Sequence, residues 1–283
     1  MGAELSNTYA CVSRPFVLNL FVLTIVSKQA ATSFACRLLK MANVALPLQT
    51  GSQARYDDLL RIAHERLNPS LRDPNFLVLR AREIIFKNWI SQLDKPEVDV
   101  LDVGGRYQPY KPLFRTQPRR YIACDILQTG LVTVVGNGES LPFGARTFDV
   151  VIASQVFDYF SQPQRAAEQI CQVLRPGGSL LMSVPSFAPP FAEGEAWRFT
   201  ASGIRTMLSA FSKVTIVPEA SSIGGLIRTL NLAVCCAAGS GLLSRVVAST
   251  LTPMLNLAGL AFESLALTKN NQFTPNYSVL AIK

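Results

Sequence analysis

From Val98 onward the chain alternates short, continuously apolar runs with stretches of helical spacing, and few folds can absorb such a string. The runs are Val98–Val103, Tyr121–Cys124, Leu131–Val135, Phe148–Ala153, Ser179–Val184, Val214–Pro218 and Tyr277–Ile282. A strand without polar alternation must be covered on both faces, so runs of this kind separated by helices predict an α/β architecture. The expected core is a seven-stranded, mostly parallel sheet with helices on both faces. Between the fourth and fifth runs Ala166, Ile170 and Val173-Leu174 recur at helical spacing, and Arg175-Pro176-Gly177-Gly178 stops that helix.

Two further segments flank this rhythm. Tyr56, Leu59-Leu60, Ala63 and Leu67 predict a helix over 53–67, and a second runs over about 75–93, where Leu77, Ala81, Ile85 and Trp89 form one stripe. Arg80, Arg82, Glu83 and Lys87 fall on the other side of it. Together, residues 53–95 read as a helical cover on the domain. Before the last strand lies an apolar helical insertion, 224–267, broken at Gly239-Ser240-Gly241 and at Pro253, whose charges are Arg228, Arg245 and Glu263. Neither half is long enough to be a clear membrane span, so a helical hairpin is expected. Two readings are open for it: extra core packed on the N-terminal helices, or a monotopic membrane-dipping element. Residues 1–52 read as an extension outside the 53–283 domain, either poorly ordered or a targeting arm. Its apolar stretch Phe16–Val26 is too short to span a bilayer, and its scarcity of acids alongside Ser and Thr also suits an organellar transit peptide.

Composition narrows the function classes. The chain is 49% hydrophobic and 16% charged with a net charge of +8, but half of that charge sits in residues 1–56. The basicity is therefore not a property of the expected catalytic face, and nucleic acid is not an expected partner. The six cysteines show no CxxC spacing and His64 is the one histidine, so no metal site is expected. His64 reads as a surface or packing residue of its helix. Free cysteines suit a reducing compartment, and the cytoplasm is the expected location, with membrane association through 224–267 and organellar targeting by the arm left open.

The chemistry centres on Val98-Asp99-Val100-Leu101-Asp102-Val103 followed by Gly104-Gly105, a strand running into a glycine turn. Ligands of open α/β sheets bind beyond the carboxyl ends of such strands. About twenty residues on, Tyr121-Ile122-Ala123-Cys124-Asp125 ends a second strand in an acid placed to hold ribose hydroxyls. A GxGxxG run is absent, and Arg106 and Pro109 follow the turn, which argues against a nicotinamide site.

At these residues the sequence resembles the class I S-adenosylmethionine (SAM) dependent methyltransferases, in particular the methyltransferase type 11 group, over about Val98 to Ala210 with the closing strand near the C-terminus. Leu101-Asp102-Val103-Gly104-Gly105 is similar to the family's first motif, and Asn137-Gly138-Glu139-Ser140-Leu141-Pro142-Phe143 to its adenine-cupping segment. Phe148–Val151 through Ser154-Gln155-Val156 resembles the fourth strand and the loop under the methionine moiety. Val173-Leu174-Arg175-Pro176-Gly177-Gly178 resembles the helix-turn-strand signature. The resemblance implies a Rossmann-like fold, SAM as cofactor with S-adenosylhomocysteine as product, and no metal. It implies cofactor contacts from Asp102, Gly104, Gly105, Asp125, Ile126, Asn137, Gly138, Glu139, Ser154 and Gln155. Ala196-Trp197-Arg198-Phe199-Thr200 resembles a loop of members associated with sugar and polysaccharide clusters, so Trp197, Arg198 and Tyr159 become acceptor-binding candidates, while Thr200 is also expected to cap a helix beginning at Ala201.

The sequence departs from the family at three places. Arg106 follows the glycine pair, Asn137 replaces an acid, and Asp158-Tyr159 replaces a frequent Glu-His pair. The last change leaves Asp158, Tyr159, Glu193 and Glu195 as base candidates, with Asp158 and Tyr159 named as catalytic. Asp149 reads either as a ligand contact or as a brace of its strand-loop junction. The expected activity is in-line transfer of a methyl group to a small-molecule, glycan or lipid-linked acceptor. Two alternatives stay open: a non-catalytic SAM-fold partner or membrane-associated scaffold, and an RNA or protein methyltransferase.

Overall fold

The computed structural model describes residues 56–187, 193–264 and 272–283; the extension expected over 1–52 lies outside them. The sheet forms from β1 (Asp99–Val103), β2 (Arg120–Asp125), β3 (Val134–Val135), β4 (Phe148–Ser154), β5 (Leu174–Pro185), β6 (Lys213–Pro218) and β7 (Asn276–Ile282). Their order is β3-β2-β1-β4-β5-β7-β6. All pairings are parallel except those of β7, which runs antiparallel to both β5 and β6. From β1 the chain first moves one way, through β2 to β3, and then returns to the other side of β1 as β4. The crevice for a ligand therefore opens at the carboxyl end of β1.

Side chains of each strand alternate between two cores. Leu101 and Val103 join a core with Ala166 and Ile170 of α3 (Pro163–Val173) and Ile204 and Met207 of α4 (Ala201–Met207). Val100 joins the opposite core with Phe86, Trp89 and Ile90 of α2 (Phe76–Leu93). The connections from β1 to β4 contain no α-helix, only a 3-10 turn at Lys111–Leu113, so α2 from the cover closes the face that these connections leave open. The expected third run, Leu131–Val135, contributes only two strand residues.

The cover divides in two. α1 (Tyr56–Leu67) lies over the ligand crevice rather than over the sheet: Leu59 and Ile62 pack on Tyr107, just past the glycine turn, with Leu131 from the β2–β3 loop beside them. The insertion before β7 is three helices rather than a hairpin: α5 (Ser222–Ala238), α6 (Leu242–Ser249) and α7 (Leu251–Ser264). Gly239 and Gly241, with φ of +64° and +104°, make the first break, a conformation that side chains disfavour. α3 ends at Val173, as Arg175-Pro176-Gly177-Gly178 predicts.

Arg82 corrects the sequence expectation. It was placed on the solvent side of its helix, but it is buried and donates to Glu219 at the end of β6 through Nε at 2.9 Å and Nη2 at 2.7 Å. Periodicity assigned the face by polarity, whereas a partner far along the chain makes a buried guanidinium tolerable.

Candidate active site

The glycine turn is fixed by β2: the amides of Gly104 and Gly105 both donate to the Cys124 carbonyl, at 2.8 and 3.3 Å. Gly104 has φ +75°, and a Cβ there would meet Val156 at 2.8 Å, so only glycine allows the turn to pack on the β4 loop. This brings the first motif against Ser154-Gln155-Val156. Asp102 points from β1 to the Tyr121 hydroxyl, which donates to it at 2.7 Å. Burial pushes its carboxyl up to about 7, against the pull of that hydroxyl and with help from Asp125.

Asp125 sits buried at the end of β2, its Oδ1 accepting from the Leu127 amide at 2.9 Å. Arg106, directly after the glycine pair, brings its Nε to 3.8 Å from the other oxygen. The departure from the family's turn thus lies against the acid expected to hold ribose. Ile126, next to Asp125, is 64% exposed and offers an apolar wall at the mouth of the crevice. Asn137 Oδ1 accepts from the Glu139 amide at 2.9 Å, leaving its amide donors toward solvent, while Glu139 accepts from the Gln162 amide. Gly138 is buried, and a Cβ there would strike the Phe160 ring at 2.5 Å. Asp102, Gly104, Gly105, Asp125, Ile126, Asn137, Gly138, Glu139 and Ser154 therefore gather along the carboxyl ends of β1, β2, β3 and β4.

Gln155 lies apart from that rim. Its backbone has φ +53° and its side chain turns inward, Nε2 donating to Ser183 Oγ at 2.9 Å. Ser183 and Ser278 in turn donate to Glu219, at 2.6 and 2.8 Å. Burial opposes the Arg82 charge, but Glu219 outweighs it and holds the guanidinium protonated. Gln155, Ser183, Glu219, Arg82 and Ser278 form a buried polar floor beside β4, β5 and β7, which the sequence did not announce. The placement of Glu219 directly after the β6 run was its one visible signal.

Asp158, Tyr159, Trp197 and Arg198 do come together. The Asp158 carbonyl accepts from the Ala196 amide at 2.7 Å, pinning the acceptor loop to the short turn after β4. The Tyr159 hydroxyl donates to Glu195 at 3.3 Å, and Arg198 donates to the same carboxylate at 2.6 Å. Trp197 Nε1 donates to the Phe160 carbonyl at 2.7 Å while its ring stays 41% exposed, so it both pins the loop and presents a face. Asp158 is buried, its Oδ1 has no hydrogen bond, and burial with the nearby Glu195 raises its carboxyl to about 7. Burial likewise pushes Tyr159 up, keeping it a donor. Glu193 is exposed. Thr200 caps α4, its Oγ1 accepting from the Gly203 amide at 3.1 Å.

Asp149 is a brace: it accepts from the Asp99 amide at 2.9 Å and from Arg175 at 2.6 Å, at the amino end of the sheet, opposite the crevice. Asp99 there also holds Arg119 and Arg120. Among the described residues no group of three or more acids, cysteines or histidines could hold a metal ion. His64 is exposed on α1, next to Asn68 at 3.4 Å.

Comparison with known proteins bears on the domain as a whole. The family model described as "methyltransferase domain", of type 11, matches residues 101–182. The malonyl-[acyl-carrier protein] O-methyltransferase of Methylococcus capsulatus is 35% identical over 69 residues, 24% of this chain and 25% of that protein. An uncharacterized methyltransferase of Mycobacterium sp. (strain KMS) is 29% identical over 106 residues, 34% of this chain and 42% of that one. The match thus spans between a quarter and less than half the length of these relatives. Among solved structures, a SAM-dependent methyltransferase from Archaeoglobus fulgidus aligns with 81% of this chain and all of its own, at 15% identity and a TM-score of 0.45. Over residues 101–182, the chain matches the methyltransferase domain family.

Proposed function

We propose that the chain transfers a methyl group from SAM to a small-molecule, glycan or lipid-linked acceptor by in-line displacement. Bound SAM would supply a methyl group on a sulfonium that already leaves readily, giving S-adenosylhomocysteine. The residues fit this cofactor: a buried acid at the end of β2 whose second oxygen is held only by the Arg106 ion pair, a left-handed glycine at the end of β1, and an exposed apolar Ile126 beside them. Asp125 would accept the ribose hydroxyls, Asn137 would donate to the adenine edge, and α1 would exclude water from the crevice.

The observation that carries the transfer reading is Asp158. A buried carboxyl with a free oxygen and a titration point about 7 is suited to take a proton from an acceptor hydroxyl near neutral pH. Trp197 offers a stacking face to a sugar or apolar ring, and Arg198, held by Glu195, places a cation beside it. The apolar helices α5–α7 favour an acceptor with a lipid portion and contact with a membrane. Methyl-tritiated SAM offered with aqueous and lipid acceptor pools tests this. Label should enter an acceptor with wild type and fall roughly 100-fold with Asp158→Asn at unchanged SAM affinity, in line with loss of a general base. No transfer to either pool by protein that binds SAM would overturn it.

One contact favours the non-catalytic reading: Arg106 lies against Asp125, the acid a ribose would need. A protein that folds but binds neither SAM nor S-adenosylhomocysteine, with Arg106→Ala restoring neither, would establish that reading instead. Nothing in the crevice favours an RNA or protein acceptor.

A further inference from the structure

The buried side of α5–α7 is largely polar or small, with Leu232 and Cys235 its apolar members. On α7 the buried positions are Thr252, Asn256 and Gly259, one helical face of polar and small residues. Asn256 donates to the Leu71 and Asp73 carbonyls at 2.8 and 2.9 Å and accepts from Asn231 of α5 at 3.0 Å. On α5 the buried Arg228 donates to Asn75 at 3.0 Å. The outward faces are apolar instead: Leu242 is 78% exposed, Met254 67% and Leu257 52%, with Leu226, Leu230 and Phe262 also outward. A helix pair packed in water orients the other way, burying leucine and exposing asparagine. The two helices α6 and α7 together, Leu242–Ser264, are long and apolar enough to cross a bilayer, yet the inward polar contacts tie α7 to the loop before α2.

Charge selects the occupant. From Ala220 to Phe262 there is no acidic residue, and Arg245 is the exposed cation of the segment. Arg80, exposed on α2, is near enough to Glu263 at the end of α7 to affect it, and Arg72 is exposed in the loop whose carbonyls Asn256 grips. An apolar patch edged by arginines matches hydrocarbon below and anionic headgroups around it. A second copy of the chain would bring the same arginines face to face.

We propose that the outer face of α5–α7 seats in one leaflet of an anionic bilayer, as a monotopic surface anchored to the domain through Asn231 and Asn256. This deepens the partner side of the proposed function, but vesicle binding is read without SAM or acceptor, so either can fail alone. Flotation of the full chain with vesicles of phosphatidylcholine alone and of phosphatidylcholine with one-quarter phosphatidylglycerol tests it. Wild type is expected to float with the anionic vesicles at least tenfold more than with neutral ones. The double variant Met254→Glu, Leu257→Glu should stay in solution, with circular dichroism and SAM affinity unchanged. Arg72→Ala with Arg80→Ala should weaken flotation only with the anionic vesicles. Flotation of the glutamate variant equal to wild type would overturn the proposal, placing the anchor elsewhere in the chain. So would wild type that floats with neither vesicle, including one whose sedimentation gives a dimer that the glutamate variant dissociates.

Discussion

At Asp125 a cation already stands where a ribose would bind: Arg106 lies 3.8 Å from the carboxylate, and ribose hydroxyls would have to displace it or share the acid with it. The Arg106 side chain is a quarter exposed, so the pair is worth about 1 kcal/mol. Arg106→Ala should therefore tighten SAM binding by roughly fivefold, read by calorimetry; weaker binding would mean that Arg106 contacts the cofactor. Asp102 makes a second residue-scale prediction. Its folded carboxyl titrates near 7 because it is buried, far above the usual value of about 4 for an unfolded chain. A raised carboxyl costs stability once pH passes the unfolded value, and the cost grows until pH reaches the folded one. Asp102→Asn, which keeps an acceptor for Tyr121, should raise Tm at pH 8, by about 2–4 °C for each kcal/mol recovered, and leave it unchanged at pH 4. An equal change at both pH values would contradict the assignment. Which of the motif residues face the crevice was not legible in sequence. Gln155 carries the family's position, yet its left-handed backbone turns the amide down to Ser183.

α1 is the element whose role changed most between sequence and structure. Its apolar spacing marks it as a cover, but spacing cannot say what it covers, because Tyr107 and Leu131 lie far along the chain. The missing helix between β1 and β2 was equally hidden: its place is held by α2 on the outer face and by α1 over the turn. Leu59→Ala, at a side chain 1% exposed, removes a contact worth about 2–5 kcal/mol from this cover. It should speed amide exchange across 56–67 and weaken SAM binding severalfold while leaving exchange in β4 and β5 unchanged. Global loss of protection would mean that α1 belongs to the folding core instead. Helix α4 and its Thr200 cap, by contrast, were readable directly, since capping is a local interaction.

For the whole molecule, the apolar runs announced the sheet because burial on both faces leaves a composition that no other element needs. The antiparallel β7 and the polar floor of Arg82 and Glu219 were not visible, since each depends on pairings between segments far apart along the chain. At the amino end of the sheet the Asp99 carboxyl is held far below the usual range by its bonds from Arg120, Arg119 and Arg175. The central claim is that the carboxyl-end crevice holds SAM through Asp125. Isothermal titration of wild type and Asp125→Ala with SAM and S-adenosylhomocysteine tests it most directly. Wild type should bind both, and the variant, folded by circular dichroism, should bind roughly 10- to 100-fold more weakly, the loss of hydrogen bonds to a charged acceptor. Binding that the variant leaves unchanged, or none by folded wild type, would contradict the account.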